Sequence, residues 1–180
     1  LNTTDSSSDM LILPELRASD SDSGVGIRRT TRALARARVG SDWSALNEAV
    51  FVVDSSMLRI TEIMFHPPEA PEGSPFRNRD DFEFIEFQNI GDRPLNLMDI
   101  RFAAGVDFTF RETRPENDLE PGDFVLIVKD IEAFATRYDI EGLYIAGEYK
   151  GNLSNGGDFL VLVDSLGRPM VDFVYSDRWY

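Results

Sequence analysis

The feature that most constrains the fold is punctuation. Short apolar or alternating runs recur between Leu58 and Tyr175, and each is closed by Pro, Gly, Asn or Asp. Leu58-Arg59-Ile60-Thr61-Glu62-Ile63-Met64-Phe65 alternates with period two, which sends successive side chains to opposite faces of a strand. His66-Pro67-Pro68 stops it, because proline cannot donate to a ladder. Phe82-Glu83-Phe84-Ile85-Glu86-Phe87 is a second such run, broken at Asn89-Ile90-Gly91-Asp92. Leu95 to Phe102 and Val106 to Phe110 read as further strands. Glu120-Pro121-Gly122-Asp123 has turn chemistry, and Phe124-Val125-Leu126-Ile127-Val128 after it reads as a central strand buried on both faces. Asp130 is placed to cap one short helix, Ile131 to Tyr138, with Phe134 and Tyr138 four apart on one face and the helix plugging a sandwich edge. A hairpin, Phe159 to Val163 and Met170 to Tyr175, joined by Asp164-Ser165-Leu166-Gly167, closes the series. The expectation is an all-β, mainly antiparallel, two-layer sandwich with one short helix.

The first third has a different texture. Residues 1–26 are rich in Ser and Asp around a short apolar run, Met10 to Leu13, and read as linker; neither Ser/Asp stretch has the spaced ligands of an EF-hand. Alternation around Gly40-Ser41-Asp42, followed by Ala49-Val50-Phe51-Val52-Val53, predicts a hairpin. A lone hairpin is marginal in water, so it needs a neighbour to lean on. Its Ala35-Arg36-Ala37-Arg38 and Trp43-Ser44-Ala45-Leu46 segments resemble the closing hairpin of the fibronectin-like, chitobiase C-terminal-like modules that accompany bacterial carbohydrate enzymes. Trp43 is read as packing under the hairpin, in preference to a nucleic-acid or sugar platform. The expected organisation is 1–53 linker and closing hairpin, 54–57 hinge, and 58–180 one domain.

Charge narrows the function classes. The 180 residues carry a net charge of −14. Residues 1–53 hold six Arg against seven acids, whereas 54–180 hold twelve Lys and Arg against twenty-five acids. Binding to duplex DNA needs cations that release counterions from phosphates, and a surface this acidic repels a polyanion, so no duplex DNA partner is expected. No apolar run approaches the ~18 residues that a spanning helix needs. The chain begins at Leu1 without a basic segment and apolar core, so any targeting signal is expected outside it. With no cysteine in the sequence, disulfides, thiolate metal sites and cysteine nucleophiles are excluded.

Several segments together carry a family likeness: Leu58 to Pro68, Phe84-Ile85-Glu86-Phe87-Gln88-Asn89, Leu119-Glu120-Pro121-Gly122-Asp123-Phe124, and Gly151-Asn152-Leu153-Ser154-Asn155-Gly156-Gly157-Asp158. In this order they resemble a bacterial lamin tail domain over about two thirds of the chain. Ile100 departs from the pattern, standing where members often have a strand tryptophan. The resemblance implies an immunoglobulin-like sandwich and a non-enzymatic role in binding a protein or cell-surface component, within a large secreted or surface-attached protein. It implies no known ligand.

Candidate sites are few. Glu83 and Glu86 invite a glycosidase reading, yet three residues apart on a strand they face opposite sides. Glu86 could still meet Glu62 from a neighbouring strand, and a structural pairing is then preferred to a cation site or catalysis. A shared proton, Arg59 or Arg101, or a cation would resolve that pair, so Glu62 and Glu86 are the candidate metal ligands. His66, the only histidine, reads as a turn residue before Pro67. The 151–157 segment reads as turns needing positive φ, lacking the lysine of a phosphate loop. Tyr144, Tyr149, Tyr175 and Trp179 are candidates for a sugar-binding aromatic platform, against a packing role. No cofactor and no catalytic residue are expected. The reading is an interaction or adhesion module, with a carbohydrate-binding module attached to a hydrolase, with or without calcium assistance, as the alternative.

Overall fold

A computed structural model describes residues 31–51, 57–70, 72–111 and 118–179, without the side chain of Trp179. The predicted linker 1–26, most of the 54–57 hinge and Tyr180 lie outside the described residues. The chain divides after Asp54 into two compact units.

In the first unit, strand β1 (Thr31–Ala35) pairs with β4 (Asn47–Phe51), and an inner hairpin joins β2 (Arg38–Val39) to β3 (Asp42–Trp43). Gly40 takes φ +61° in the two-residue turn, a conformation that costs a residue with a Cβ. Ala37 N donates to Ser44 Oγ and Ser44 N to Ala37 O, both at 2.8 Å, which pins the step between the outer and inner hairpins. The predicted packing of Trp43 under the hairpin is not what forms: the indole is 45% exposed.

The second unit is an all-β sandwich. One sheet has the order β11–β10–β6–β5, with β5 at Leu58–Met64, β6 at Phe84–Asn89, β10 at Phe124–Val128 and β11 at Ile145–Glu148. The other has the order β13–β12–β8, with β8 at Arg101–Ala104, β12 at Gly157–Val163 and β13 at Pro169–Ser176. A short pair, β7 (Leu95–Asn96) with β9 (Asp118–Leu119), closes one end. Pairing is antiparallel except between β10 and β11, where helix α1 (Ile131–Arg137) makes the crossover. The short parallel strand β11 was not foreseen.

Strand β10 is interior, and its two faces serve two cores. Val125 and Ile127 join the main cluster with Ile85, Phe87, Phe102, Leu160, Leu162 and Tyr175 from both sheets. Leu126 and Val128 join Phe84 and Phe134 in a second cluster. The helix therefore covers the outer face of the sheet, where Phe134 and Tyr138 flank Phe84 with centroids 5.4 and 5.6 Å away, and does not plug an edge. Asp130 caps it as expected, accepting from Ala133 N at 2.9 Å.

Two predicted strands are shorter or looser than their sequences suggest. The Leu95–Phe102 run breaks between β7 and β8, because Asn96 Oδ1 accepts from Met98 N and Asp99 turns to φ +63°. Val106 to Phe110 makes only isolated bridges, Arg101 with Thr109 and Asp107 with Lys150, although Val106, Phe108 and Phe110 alternate inward as a strand would.

The inward row of β6 ends on Asn89, which is fully buried. Its Nδ2 donates to Arg93 O and Leu119 O, both at 2.8 Å, and its Oδ1 accepts from Gly91 N at 2.9 Å. Replacing Asn89 with Ala strands these backbone groups and is expected to cost about 3 kcal/mol in urea denaturation. Asn89→Asp should cost at least as much, since it sets a carboxylate against two carbonyls.

Candidate functional site

Strand alternation places Glu83, Ile85, Phe87 and Asn89 toward the sandwich interior and Phe84 and Glu86 away from it. Glu83 and Glu86 thus face opposite sides, as their spacing requires, and their environments diverge completely.

Glu83 is fully buried. Its backbone O accepts from Lys129 N at 2.9 Å, which extends the ladder to β10. Its Oε2 accepts from Tyr149 Oη at 2.9 Å and from Leu153 N at 3.0 Å. Its Oε1 is buried without a hydrogen-bond partner. Burial pushes the carboxyl up to about 7, against the pull of the two donors; Asp80 adds to the rise and Lys129 opposes it. Tyr149 is raised by burial and by the same carboxyl. Lys129 Nζ donates to Gly151 O and lies 5.9 Å from the Tyr149 ring centroid. Glu83 and Lys129 therefore hold the segment after Tyr149 from two sides.

That segment ends at Gly157, whose φ is +108°; a Cβ there would meet Tyr175 O at 2.5 Å. The residues from Gly151 to Gly157 are a turn series, and what fastens them is the acid and the lysine. Both donors to this carboxyl come from the chain itself, one of them the Leu153 amide, so the carboxyl fastens this segment.

Glu62 and Glu86 do meet: they are cross-strand partners. A bulge in β5 at Thr61 lets Ile60 and Ile63 both pack on the core and brings Thr61 beside the pair. Thr61 Oγ1 donates to Glu86 Oε1 at 2.7 Å. The Glu62 carboxyl is raised, by burial first and by Glu86 second. Arg101, one of the two expected neutralising cations, reaches Asp164 O at 3.3 Å. Among the described residues no group of three or more His, Asp or Glu side chains comes together as a metal site.

Of the four aromatic candidates, the three described rings do not assemble into a platform. Tyr149 and Tyr175 are buried, and Tyr175 packs on Phe65 with centroids 4.9 Å apart. Tyr144 is half-buried against the main core. The Trp179 side chain lies outside the described residues. His66 is exposed at its turn, while Pro67 behind it is buried and its carbonyl takes Arg79 Nε and Nη2 at 3.0 and 2.8 Å. No helix among the described residues is long and apolar enough to cross a membrane.

Comparison with known proteins returns no match: neither a family model, nor a curated protein, nor a solved structure is significantly similar to the chain.

Glu83 gives a pH signature. An acid whose pKa is higher folded than unfolded binds more protons in the folded state between the two values, so stability falls as pH rises through that window. For Glu83 the window runs from 4.5 to about 7, its lower end being the ordinary carboxyl value. Its depth is on the order of 3 kcal/mol. Glu83→Gln keeps an acceptor for Tyr149 and Leu153 and removes the titration. The variant should melt above the parent at about pH 8 and lose that advantage at about pH 4. An advantage of equal size at both pH values would show that Glu83 does not titrate there.

Proposed function

We propose that the chain is a non-catalytic interaction and adhesion module of a larger exported bacterial protein, acting outside the cell or at its surface. In this reading the second unit is an immunoglobulin-like sandwich of the lamin-tail kind, and its partner is a protein or another cell-surface component. The single observation that carries the reading is an apolar pair left in solvent. Phe159 and Val174 are opposite one another on β12 and β13, on the face turned away from the core, and are 42% and 60% exposed. Val161 continues the stripe beside Asp172. Apolar side chains clustered on an outer sheet face, with acids at their margin, suit a protein interface better than they suit solvent.

The buried polar groups add support from the other direction. Glu83, Asn89 and Asp164 are each committed to holding a loop, Asp164 through the Leu166 and Arg168 amides at 2.9 Å and the Arg168 guanidinium. An architecture that spends its interior polar groups on loops presents a stable surface, which is what an adhesive module needs.

Two measurements test this. Fluorescently labelled protein should bind bacterial envelope fractions, and a Phe159→Ser, Val174→Ser double variant that melts like the parent should bind at least about tenfold more weakly. Separately, the chain should show no turnover across a panel of glycosides, esters and phosphodiesters. Activity abolished by Glu86→Gln, with an unchanged melting temperature, would overturn the module reading.

A further inference from the structure

The hairpin of the first unit carries three arginines, and their surroundings differ. Arg32 Nε and Nη2 donate to the two carboxylate oxygens of Glu48 at 2.7 and 2.8 Å, a fork-to-fork pair that neutralises both. Arg36 and Arg38 make no ion pair with a carboxylate among the described residues. Their guanidinium carbons lie 4.1 and 5.2 Å from the centroid of the Trp43 ring. Two cations therefore share one half-exposed indole at the tip of a hairpin, in a chain whose net charge is −14.

Stacking on a ring uses the face of a guanidinium, whereas its N–H donors lie in the plane and stay available. Arg38, an exposed residue, directs Nε to Gly40 O at 2.9 Å, which restrains the side chain and leaves its terminal nitrogens without a hydrogen bond among the described residues. The backbone beneath is tied by the Arg38–Trp43 pairing and by the Ala37–Ser44 bonds. The side chains are thus ordered before a ligand arrives, which lowers the entropic cost of capture.

We propose that Arg36, Arg38 and Trp43 form a binding site for the carboxylate or sulfate groups of an anionic polysaccharide. The guanidinium fork matches a planar carboxylate or a sulfate edge, and the exposed part of the indole offers an apolar surface to sugar C–H groups. A polysaccharide fits better than duplex DNA. DNA carries one charge per ~1.7 Å of axis, so the acid excess of this chain repels it strongly, whereas a glycan charged about once per sugar meets less repulsion. The inference rests on the reading of the chain as a binding module, but it uses the other unit and none of the same residues.

The test uses the full chain and four polymer probes: polygalacturonate, dextran sulfate, polyglutamate and a short mixed-sequence DNA duplex. Titration calorimetry at physiological salt should show binding to at least one of the two polysaccharides. Polygalacturonate alone identifies carboxylate as the recognised group, dextran sulfate alone identifies sulfate, and either upholds the site. Arg36→Gln with Arg38→Gln should weaken that binding at least about tenfold, with circular dichroism and melting unchanged. Arg36→Lys with Arg38→Lys keeps the charge and loses the fork, so it should weaken binding as well. Retained affinity in the lysine variant would reduce the site to unspecific attraction and overturn it. Failure to bind either polysaccharide, or binding of polyglutamate or DNA as tightly, would also overturn it. Those results leave the Phe159–Val174 surface and the module reading standing, whereas hydrolytic turnover would remove the module reading.

Discussion

The second unit depends on one strand row, Glu83-Ile85-Phe87-Asn89, apolar at its centre and polar at both ends. Ile85 and Phe87 are wholly buried between the sheets, and Phe87 meets Phe102 of the facing sheet with centroids 6.3 Å apart. Asn89 gathers Gly91, Arg93 and Leu119, while Glu83 gathers Tyr149 and Leu153. Loops cannot bury their own backbone groups without partners. A strand that reaches past the core and ends on a polar side chain supplies those partners without exposing the core. The two ends are unequal. Asn89 satisfies carbonyls and an amide with a neutral group, whereas Glu83 accepts two donors on one oxygen and leaves the other bare, so its end of the sandwich is the one that responds to protons.

Cations in this unit are used on backbone as much as on acids. Arg79 reaches Pro67 O, Arg137 reaches Pro68 O and Glu69 O at 3.2 and 3.3 Å, and Lys129 reaches Gly151 O. Arg137 also lies over Phe82, its guanidinium carbon 3.7 Å from the ring centroid. The long Pro-rich stretch after β5 is held in this way by two arginines from separate elements. A carbonyl takes a cation's donors without occupying a carboxylate, so the loops are fastened by cations that need no acid partner at that point.

What was legible in the sequence follows the range of the forces. Period-two alternation and turn residues act locally, and they located β5, β6, β10, the terminal hairpin and the Asp130-capped helix. The two-faced burial of Val125 to Val128 was readable because an unbroken apolar run has no solvent face, but Phe124, which opens the run, is 45% exposed and departs from that expectation. The opposition of Glu83 and Glu86 followed from spacing alone, and the meeting of Glu62 with Glu86 from neighbouring strands of like pattern. Partners distant in sequence were hidden. Nothing local links Glu83 to Tyr149 and Leu153, 66 and 70 residues away. Strand β11 was hidden because Ile145-Ala146-Gly147-Glu148 is weakly apolar, and its pairing with β10 depends on where the helix returns the chain. For Tyr149 and Tyr175 the sequence left a platform and a packing role both open, because an aromatic residue carries no sequence mark of which side it faces; the core they close decides for packing.

Trp43 shows the same limit from the opposite side. A tryptophan in a hairpin is read as buried because its area rewards burial, and that holds where apolar neighbours are at hand. Here the side chains within reach across the turn are Arg36 and Arg38, and stacking with a guanidinium covers part of the ring while leaving the cation hydrated at its edge. Arg32, on the same hairpin, takes the alternative of a carboxylate because Glu48 is placed beside it. Whether an arginine is neutralised or stacked is thus decided by a single neighbour, a carboxylate in one case and an indole in the other. On an acidic chain this difference separates a structural cation from those of the proposed anion site.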